Sequence, residues 1–344
     1  MVVKELSVDE RYNLIMRNLQ EVLGEDDLKK LLKKKKNPVV YWGTMPTGSI
    51  SIGYFFPMLK IADFLKAGLR VKILLADLHG ALDGVPWEIL EKRYKYYERA
   101  IVTILKTIGV SINNLEFVKG SDLQLDKNYF HDLLKLSTYT SFKNCKKAAS
   151  EVVKNVEKDS AKLSSFIYPL MQALDEEYLK VDMQFGGMDQ RKIMVLAREI
   201  LPKIGYEARI ELLNPIIRGL VGEKMSSSIE ATKIDLLNDE NVVIKKVKGA
   251  EMVAKNPNNG IMSLLEYFIM VSKCDNGQSF VIERPEKYGG NLEYKDYKSV
   301  EKDFVEGKIH PLDLKNAVAQ EINILLKKFR EDKKLHALHK NAYC

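Results

Sequence analysis

The sequence predicts an α/β protein with a doubly wound parallel sheet, followed by an all-helical domain. A strand, a glycine-bearing turn, a helix and a second strand follow one another between residues 39 and 77, the order of a βαβ unit. Another strand, ending near residue 186, runs into a Gly-Gly turn and a helix. After residue 231 amphipathic helices recur without the period-two pattern of a sheet.

Composition places the chain among ordinary globular proteins. Its 344 residues are enough for two domains, and 46% are hydrophobic and 29% charged. No apolar run reaches transmembrane length, so we expect no membrane association. Residues 1–20 mix acidic and basic side chains, which argues against a transit or secretory signal and favours a cytoplasmic location.

Cysteine usage and charge add two further limits. Cys145, Cys274 and Cys344 are odd in number and far apart, so neither a disulfide framework nor a zinc site is expected. The net charge of +7 is compatible with a polyanionic partner but does not require one. Two lysine-rich runs, 33–36 and 245–248, are open to two interpretations each. The run 33–36 is either a solvated helix end or a contact with RNA. The run 245–248 is either a solvated helix face or a nuclear localisation signal.

The chain begins with helical spacing over residues 8–36, interrupted at Gly24. Residues 39–44 then read as a buried strand, 50–67 as a helix closed by Gly68, and 69–77 as a second strand. In such sheets ligands bind beyond the carboxyl ends of the strands. The backbone N–H groups at the helix start, near residues 49–51, would face that crevice and favour an anion.

His79 follows the second strand directly, where a parallel sheet presents polar side chains to a ligand. A structural role and a substrate-lining role remain equally open for this histidine. Apolar stripes within 87–109 and 130–142 indicate core or subunit contacts.

A predicted helix at 165–175 carries three polar side chains on one face. Tyr168, Gln172 and Asp175 stand at i, i+4 and i+7, flanked by apolar residues. A polar lining within an apolar wall suits a small amphipathic ligand, and a polar seam between domains is the alternative.

Two glycine-bearing segments point to a nucleotide. Gly186 and Gly187 follow a strand, which permits close approach of a ribose or base, and Asp189 could accept ribose hydroxyl groups. Residues 222–228 read Gly-Glu-Lys-Met-Ser-Ser-Ser, in which a lysine charge and three hydroxyls suit a polyphosphate. A plain surface turn has a similar composition, so the order of residues matters here.

The run Lys-Met-Ser-Ser-Ser at 224–228 resembles the KMSKS signature of class I aminoacyl-tRNA synthetases, with Ser227 in place of the second lysine. The segments 41–44, 46–48, 54–58 and 60–68, together with Ala-Asp-Leu-His at 76–79, resemble tyrosyl-tRNA synthetases of the eukaryotic and archaeal type. So does the Gly-Gly-Met-Asp-Gln run at 186–190. The resemblance covers essentially the whole chain and implies a Rossmann-like catalytic domain.

The resemblance also implies roles for individual residues. Asp175 and Tyr41 would bind the phenolic hydroxyl of tyrosine, and Tyr168, Gln172 and Gln190 its amino group, with His79 lining the pocket. The implied ATP-binding residues are Gly43, Thr44, Gly48, Ser51, Gly53, Tyr54, Gly186, Gly187, Asp189 and Met225. The implied catalytic residues are Lys224, Ser226, Ser227, Ser228 and Ser51.

One part of the resemblance is imperfect. The family's HIGH-like signature falls on residues 51–54, where Ser51 and Tyr54 occupy the two histidine positions. A serine can donate a hydrogen bond to a phosphate but cannot carry charge, so we expect catalysis to depend more on Lys224. Ser51 can also serve as a helix N-cap at the same time.

The expected organisation is a catalytic domain over 1–231, with an insertion near 110–160 for dimerisation and acceptor-end contact, and an anticodon-binding domain over 232–344. The resemblance implies a homodimer that uses ATP, L-tyrosine and tRNA(Tyr), with Mg²⁺ entering on ATP, since no metal-ligand motif stands in the sequence. Two alternatives remain, a tryptophan–tRNA ligase of the same fold and a non-catalytic RNA-binding descendant.

Overall fold

A computed structural model describes residues 6–153, 161–222 and 230–344. The chain forms two compact units that alternate along the sequence. The first unit comprises Met1–Thr47, Lys60–Glu98 and Val110–Ile216, and the second comprises Gly48–Leu59, Arg99–Gly109 and Ile217–Cys344. Each unit consists of residues that lie close together in space. The domain boundary expected after residue 231 stays a prediction.

The described helices fall in the following order. They are α1 Val8–Met16, α2 Glu25–Lys34, α3 Phe55–Lys66, α4 Asp77–Leu82, α5 Leu90–Ile108, α6 Gly120–Gln124, α7 Lys127–Tyr139, α8 Phe142–Ala149, α9 Ser164–Tyr178, α10 Arg191–Ile200, α11 Glu240–Gly249, α12 Gly260–Leu264, α13 Val271–Asp275, α14 Tyr297–Glu306, α15 Pro311–Glu331 and α16 Lys333–Tyr343. Short 3₁₀ segments cover Ile52–Tyr54, Trp87–Ile89, Met188–Gln190, Leu201–Ile204, Glu230–Thr232 and Glu286–Tyr288, and Leu265–Met270 is a π-helical stretch.

The strands of the first unit form one six-stranded sheet in the order β1-β6-β5-β2-β3-β4. Their bounds are β1 Glu21–Leu23, β2 Val39–Thr44, β3 Arg70–Leu75, β4 Leu115–Lys119, β5 Met183–Gly187 and β6 Ile210–Asn214. All neighbours pair in parallel except β1, which is antiparallel to β6. The chain moves outward from β2 in both directions, which is the doubly wound arrangement that the sequence predicts.

The register of the sheet aligns the carboxyl ends of its central strands. Thr44 of β2 stands opposite Leu75 of β3, and Gly187 of β5 stands opposite Asn214 of β6. Because parallel strands end at a common edge, the predicted ligand-binding residues of β2 and β5 lie at that edge.

Most predicted elements of the α/β part of the chain are confirmed, and three differ. The helix predicted over 50–67 begins only at Phe55, after a 3₁₀ segment over Ile52–Tyr54. The strand predicted over 39–44 has the same bounds in the structure, and the helix predicted over 165–175 is the centre of α9. The strand predicted over 69–77 ends at Leu75, because Asp77 begins α4 and its carboxylate accepts hydrogen bonds from Leu78 and Ser121 N–H groups. The segment Glu21–Leu23, read from the sequence as helix, is an edge strand held by pairing with β6.

The second unit is mainly helical, as predicted, with one addition. Pro311 begins the long helix α15, where its missing N–H costs nothing, and His310 caps the helix. Phe55, Phe268 and Phe329 pack in its core, with ring centroids 4.6 Å and 5.8 Å from that of Phe55. The prediction of an all-helical domain omitted an antiparallel pair, β7 Phe280–Ile282 and β8 Leu292–Tyr294, whose three-residue strands are too short for a periodic signal.

The lysine-rich run 245–248 lies within α11, which covers Glu240–Gly249. None of the helices in the described part of the chain is both long enough and apolar enough to span a membrane.

Candidate active site

Tyr41 lies in the middle of the sheet and is almost completely buried. Its register neighbours are Lys72 on β3 and Gln184 on β5, and its side chain is 1% exposed. The hydroxyl group points toward α9, where it donates a long hydrogen bond of 3.5 Å to the carbonyl oxygen of Gln172. Burial, and then the neighbouring Asp175, raise the pKa of Tyr41 well above its ordinary value, so this phenol stays protonated.

The polar face predicted for α9 is present. Tyr168 and Asp175 are both buried, and Tyr168 belongs to the apolar core that surrounds α9. Gln172 donates from its amide nitrogen to the side-chain oxygen of Gln190 at 3.2 Å. The structure therefore brings Gln190, which is 18 residues away in sequence, to the face that carries Gln172.

Asp175 is the centre of a hydrogen-bond network. Its Oδ1 accepts from the amide of Gln124 at 2.8 Å and from the hydroxyl of Tyr129 at 2.9 Å. Burial raises the pKa of Asp175 to about 7, although these two hydrogen bonds favour the carboxylate and lower it. The protein thus fixes Oδ1 of Asp175, and Oδ2 can accept a hydrogen bond from a hydroxyl group of a ligand.

His79 belongs to the same network. Its Nδ1 lies 3.2 Å from the Gln124 amide nitrogen, and its Nε2 lies 3.9 Å from Oδ2 of Asp175. The imidazole ring meets the ring of Tyr168 edge-on, with centroids 4.6 Å apart. Burial lowers the pKa of His79 to about 4, so the imidazole ring is neutral at physiological pH. It can therefore line the pocket as a polar group but supplies no positive charge.

The contacts described above connect all six residues predicted for the tyrosine pocket, and all six belong to the first unit. Two members of the network, Gln124 and Tyr129, were missed from the sequence. Gln124 ends the short helix α6, and Tyr129 lies in the first turn of α7, whose stripe indicated core or subunit contact. No motif distinguishes these side chains, and only the packing of α7 on α9 brings the Tyr129 hydroxyl group within reach of Asp175 and of the Met171 carbonyl oxygen.

The two glycines at the end of β5 leave little room for a side chain. A Cβ on Gly186 would lie 2.7 Å from the terminal carbon of Met194, and one on Gly187 would lie 2.7 Å from Oδ1 of Asp189. Each of these atoms is the end of a side chain that can move aside, so the packing disfavours a larger residue at either position without excluding it. Gly43 and Thr44, at the end of the adjacent strand β2, reach the same carboxyl edge.

Four further residues predicted for ATP belong to the second unit. Gly48 lies in the turn before the 3₁₀ segment Ile52–Tyr54, which contains Gly53 and Tyr54. Ser51 is 4% exposed and caps this segment, since its hydroxyl oxygen accepts from Gly53 N–H at 3.3 Å. The N-cap role predicted for Ser51 is confirmed, and its phosphate contact stays a prediction.

The lysine loop remains a sequence-based element. Lys224, Met225, Ser226, Ser227 and Ser228 lie outside the residues that the structure describes. Within the described ranges, no group of three or more His, Cys, Asp or Glu side chains is arranged to hold a metal ion.

A doubly wound sheet binds its ligands beyond the carboxyl ends of its strands, where Gly43, Thr44, Gly186 and Gly187 lie. Residues 33–327 match the family described as tRNA synthetases class I (W and Y), which is most of the chain. The chain belongs to this family of class I aminoacyl-tRNA synthetases.

Within the family, the similar relatives are tyrosine enzymes. The chain is 50% identical to a cytoplasmic tyrosine–tRNA ligase of Danio rerio over 99% of its own length and 64% of that protein. It is 46% identical to a cytoplasmic tyrosine–tRNA ligase of Saccharomyces cerevisiae, with 94% of this chain and 84% of that protein covered. The chain thus spans less than two thirds of the vertebrate relatives that it matches.

Solved structures agree in fold. A tyrosyl-tRNA synthetase from Archaeoglobus fulgidus complexed with L-tyrosine matches with a TM-score of 0.87 and 36% identity, covering 94% of this chain and 99% of that one. A tryptophanyl-tRNA synthetase from Aeropyrum pernix is more distant, with a TM-score of 0.71 and 17% identity over 98% of this chain and 88% of that one. This second likeness shows the shared fold alone.

Proposed function

We propose that the protein is a tyrosine–tRNA ligase. It would activate L-tyrosine with ATP to tyrosyl-adenylate and transfer the tyrosyl group to the 3′-terminal adenosine of tRNA(Tyr). The observation that carries the proposal is the buried carboxyl group of Asp175, oriented by Gln124 and Tyr129 within an aromatic-lined pocket.

A phenol is the ligand that satisfies this pocket. Asp175 can accept a hydrogen bond from a phenolic hydroxyl group, and the buried hydroxyl group of Tyr41 lies near the same carboxyl. A site with buried polar groups rejects an analogue that leaves them unpaired, and tyrosyl-tRNA synthetases are themselves the standard example of this rule. A phenolic hydroxyl group can donate to Asp175 and accept from Tyr41 at the same time. An indole N–H can donate to Asp175 but accepts nothing, so tryptophan satisfies the pair of Tyr41 and Asp175 less well.

The amino group of the substrate would bind at the other end of the α9 face. Gln172 and Gln190 are already hydrogen-bonded to each other and so are fixed in position before the substrate arrives. Tyr168 lies beside them on the same helix. The phenol and the amino group are then held at a separation set by two turns of one helix, which directs the substrate carboxylate toward the carboxyl edge of the sheet.

In the first step a carboxylate oxygen of tyrosine attacks the α-phosphorus of ATP, and the bond from that phosphorus to the bridging oxygen of pyrophosphate breaks. In the second step a ribose hydroxyl of the tRNA attacks the acyl carbon, and AMP leaves. Neither step needs a covalent bond to the protein, so the rate depends on positioning and on stabilisation of phosphate charge. Lys224 would provide the cationic side chain, and Mg²⁺ bound to ATP would neutralise further phosphate charge.

Partners and location belong to the same proposal. The relatives named above are described as cytoplasmic, which supports a cytoplasmic location for this chain. Exposed apolar side chains on α7 and α8, including Phe130, Leu134 and Phe142, support the homodimer predicted through the 110–160 insertion.

A pyrophosphate-exchange assay tests the proposal. The purified protein is incubated with Mg-ATP and labelled pyrophosphate, and tyrosine, tryptophan or phenylalanine is added in separate reactions. We expect exchange with tyrosine, and at least about 100-fold less with the other two amino acids. Exchange driven by tryptophan would replace the proposal with the first alternative. The absence of exchange with any of the three, in protein that binds tRNA, would favour the non-catalytic descendant.

A further inference from the structure

Gln124 joins two side chains of the tyrosine pocket through a single amide nitrogen. Its Nε2 donates to Oδ1 of Asp175 at 2.8 Å and lies 3.2 Å from Nδ1 of His79. All three side chains are at most 5% exposed, so solvent does not compete for these contacts. An amide nitrogen carries two hydrogens and accepts no hydrogen bond, so Gln124 can donate to both neighbours at once.

This arrangement determines which nitrogen of His79 carries the proton. Turning the Gln124 amide over would place its acceptor oxygen against the carboxylate oxygen of Asp175, which is repulsive. With the amide nitrogen toward His79, Nδ1 must act as the acceptor. Burial lowers the pKa of His79 to about 4, so the neutral ring has one proton, and that proton is on Nε2.

The Nε2–H group of His79 is a buried donor whose acceptor is absent from the described part of the chain. The carbonyl oxygen of Tyr168 offsets a smaller part of the pKa shift that burial causes, but it accepts no hydrogen bond from Nε2. Oδ2 of Asp175 lies 3.9 Å from Nε2, which is too far for a direct hydrogen bond. One oxygen atom at about 2.8 Å from both atoms fits this separation. Such an oxygen would accept from Nε2–H and donate to Oδ2.

We infer that Gln124 is a positioning residue that fixes the Nε2–H tautomer of His79, and that His79 donates this hydrogen to the phenolic oxygen of bound tyrosine. The same hydroxyl group donates to Oδ2 of Asp175. Because a phenolic oxygen has two lone pairs, it can accept from Tyr41 as well. Phenylalanine leaves both Nε2–H and Oδ2 unpaired, so His79 contributes to selectivity. The inference rests on the proposed function, because it assigns a further contact within the tyrosine pocket.

Nitrogen-15 NMR of protein labelled at its histidine rings shows which ring nitrogen is protonated. The chain has five histidines, and the spectrum of His79→Gln identifies the His79 signals by their absence. We expect wild type to have a protonated Nε2 and an unprotonated Nδ1. Gln124→Met provides no donor to Nδ1, so this variant should show a mixture of the two tautomers. A wild-type His79 protonated mainly on Nδ1 would overturn the inference.

Tyr129→Phe is the matched control for Gln124→Met. It removes the other contact to Oδ1 of Asp175 and does not alter the contact between Gln124 and His79. The His79 signals of Tyr129→Phe should therefore match those of wild type. If Gln124→Met also keeps the wild-type signals, Gln124 only supports Asp175 and its assignment as the residue that sets the tautomer is wrong.

Two substitutions of His79 test the donated hydrogen bond itself. His79→Leu has no donor, and we expect the preference for tyrosine over phenylalanine in kcat/KM to fall by about 10-fold. His79→Gln offers an amide N–H in place of Nε2–H and should keep the preference within about threefold of wild type. KM for ATP should stay within about twofold in both variants. Equal losses of preference in the two variants would show that no hydrogen bond from this position reaches the substrate. If Gln124→Met does not fold, this pair and the wild-type spectrum decide.

Addition of an amino acid without ATP separates this inference from the proposed function. Tyrosine should shift the Nε2 signal of His79 in wild type, because Nε2–H gains an acceptor, and phenylalanine should not. A shift with tyrosine supports the inference even if tyrosine drives no pyrophosphate exchange, a result that would contradict the ligase assignment alone. Exchange driven by tyrosine without a shift of Nε2 would contradict the inference and leave the ligase assignment intact.

Discussion

The predicted tyrosine pocket and the turn before α3 are held in place by different kinds of contact. The pocket is built from buried side chains of β2, α4, α6, α7 and α9, and its centre, Asp175, is hydrogen-bonded to two of them. The turn is held through its backbone, which pairs with residues 234–236 and accepts a hydrogen bond from Lys233. We therefore expect side-chain identity to matter most in the pocket.

Mutations can test whether the two regions have separate functions. Changes in the pocket should alter which amino acid is used, and changes on the phosphate side should alter the rate or the affinity for ATP. The largest expected effect belongs to the one cationic side chain of the lysine loop.

Lys224→Ala should reduce the rate of adenylate formation by about 100- to 1,000-fold, because a charge that stabilises the transition state is lost. The dissociation constant for tyrosine should stay within about threefold. Single-turnover formation of tyrosyl-adenylate, with a separate tyrosine-binding titration, measures the two quantities. Lys298→Ala, at an exposed position on α14, serves as the control. Equal losses in rate and tyrosine affinity would contradict the assignment of Lys224 to the phosphate side.

Asp175→Asn should reduce the preference for tyrosine over phenylalanine by about 10- to 100-fold. The asparagine oxygen can still accept from Gln124 and Tyr129, but its amide nitrogen cannot accept from the substrate hydroxyl group. The ratio of kcat/KM values for the two amino acids in the exchange assay gives the result. Asp122→Asn, on the exposed side of α6, is the control. An unchanged ratio would show that the hydroxyl group is recognised elsewhere.

Tyr129→Phe tests whether a residue without contact to the phosphate side contributes to the pocket. Loss of its hydroxyl group frees Oδ1 of Asp175 from one of its two donors, so we expect kcat/KM for tyrosine to fall by about three- to tenfold. KM for ATP should not change. Tyr139→Phe is a matched control, because Tyr139 is on the same helix and 51% exposed. A parallel rise in KM for ATP would weaken the distinction between the two regions.

The parts of the fold and site that were predicted correctly are those with a signature in a short stretch of sequence. The strand 39–44, the helix face with Tyr168, Gln172 and Asp175, and the Gly-Gly turn each have a short periodic or compositional signature, and the structure shows each of them. Gln124 and Tyr129 were missed as partners of Asp175 because their contacts join segments that are distant along the chain. The strand β1 was missed for the same reason, since only its pairing with β6 overrides the helical spacing around it.

The smallest predicted effect concerns a buried carboxyl group next to the pocket rather than in it. Glu176 is fully buried, and among the described residues neither of its carboxyl oxygens has a hydrogen-bond partner. Burial raises the pKa of Glu176 to about 8, while Arg209 and Arg198 lower it in part. The pKa of the neighbouring Glu211 is raised well above its ordinary value for the same reason.

A carboxyl group whose pKa is raised by folding stabilises the protein below its unfolded pKa and loses that contribution as pH rises through its folded pKa. The free energy of unfolding should therefore fall between about pH 5 and pH 8. Glu176→Gln removes this titrating group and should flatten the decline, making the variant more stable than wild type by about 1–2 kcal/mol near pH 8.5. Urea unfolding at a series of pH values measures the change, and the exposed Glu207→Gln should leave the profile unaltered. Because the carboxyl oxygens of Glu176 take no part in the hydrogen bonds that orient Asp175, selectivity for tyrosine should not change. A loss of selectivity would mean that the pocket extends further into the protein than its hydrogen-bond network indicates.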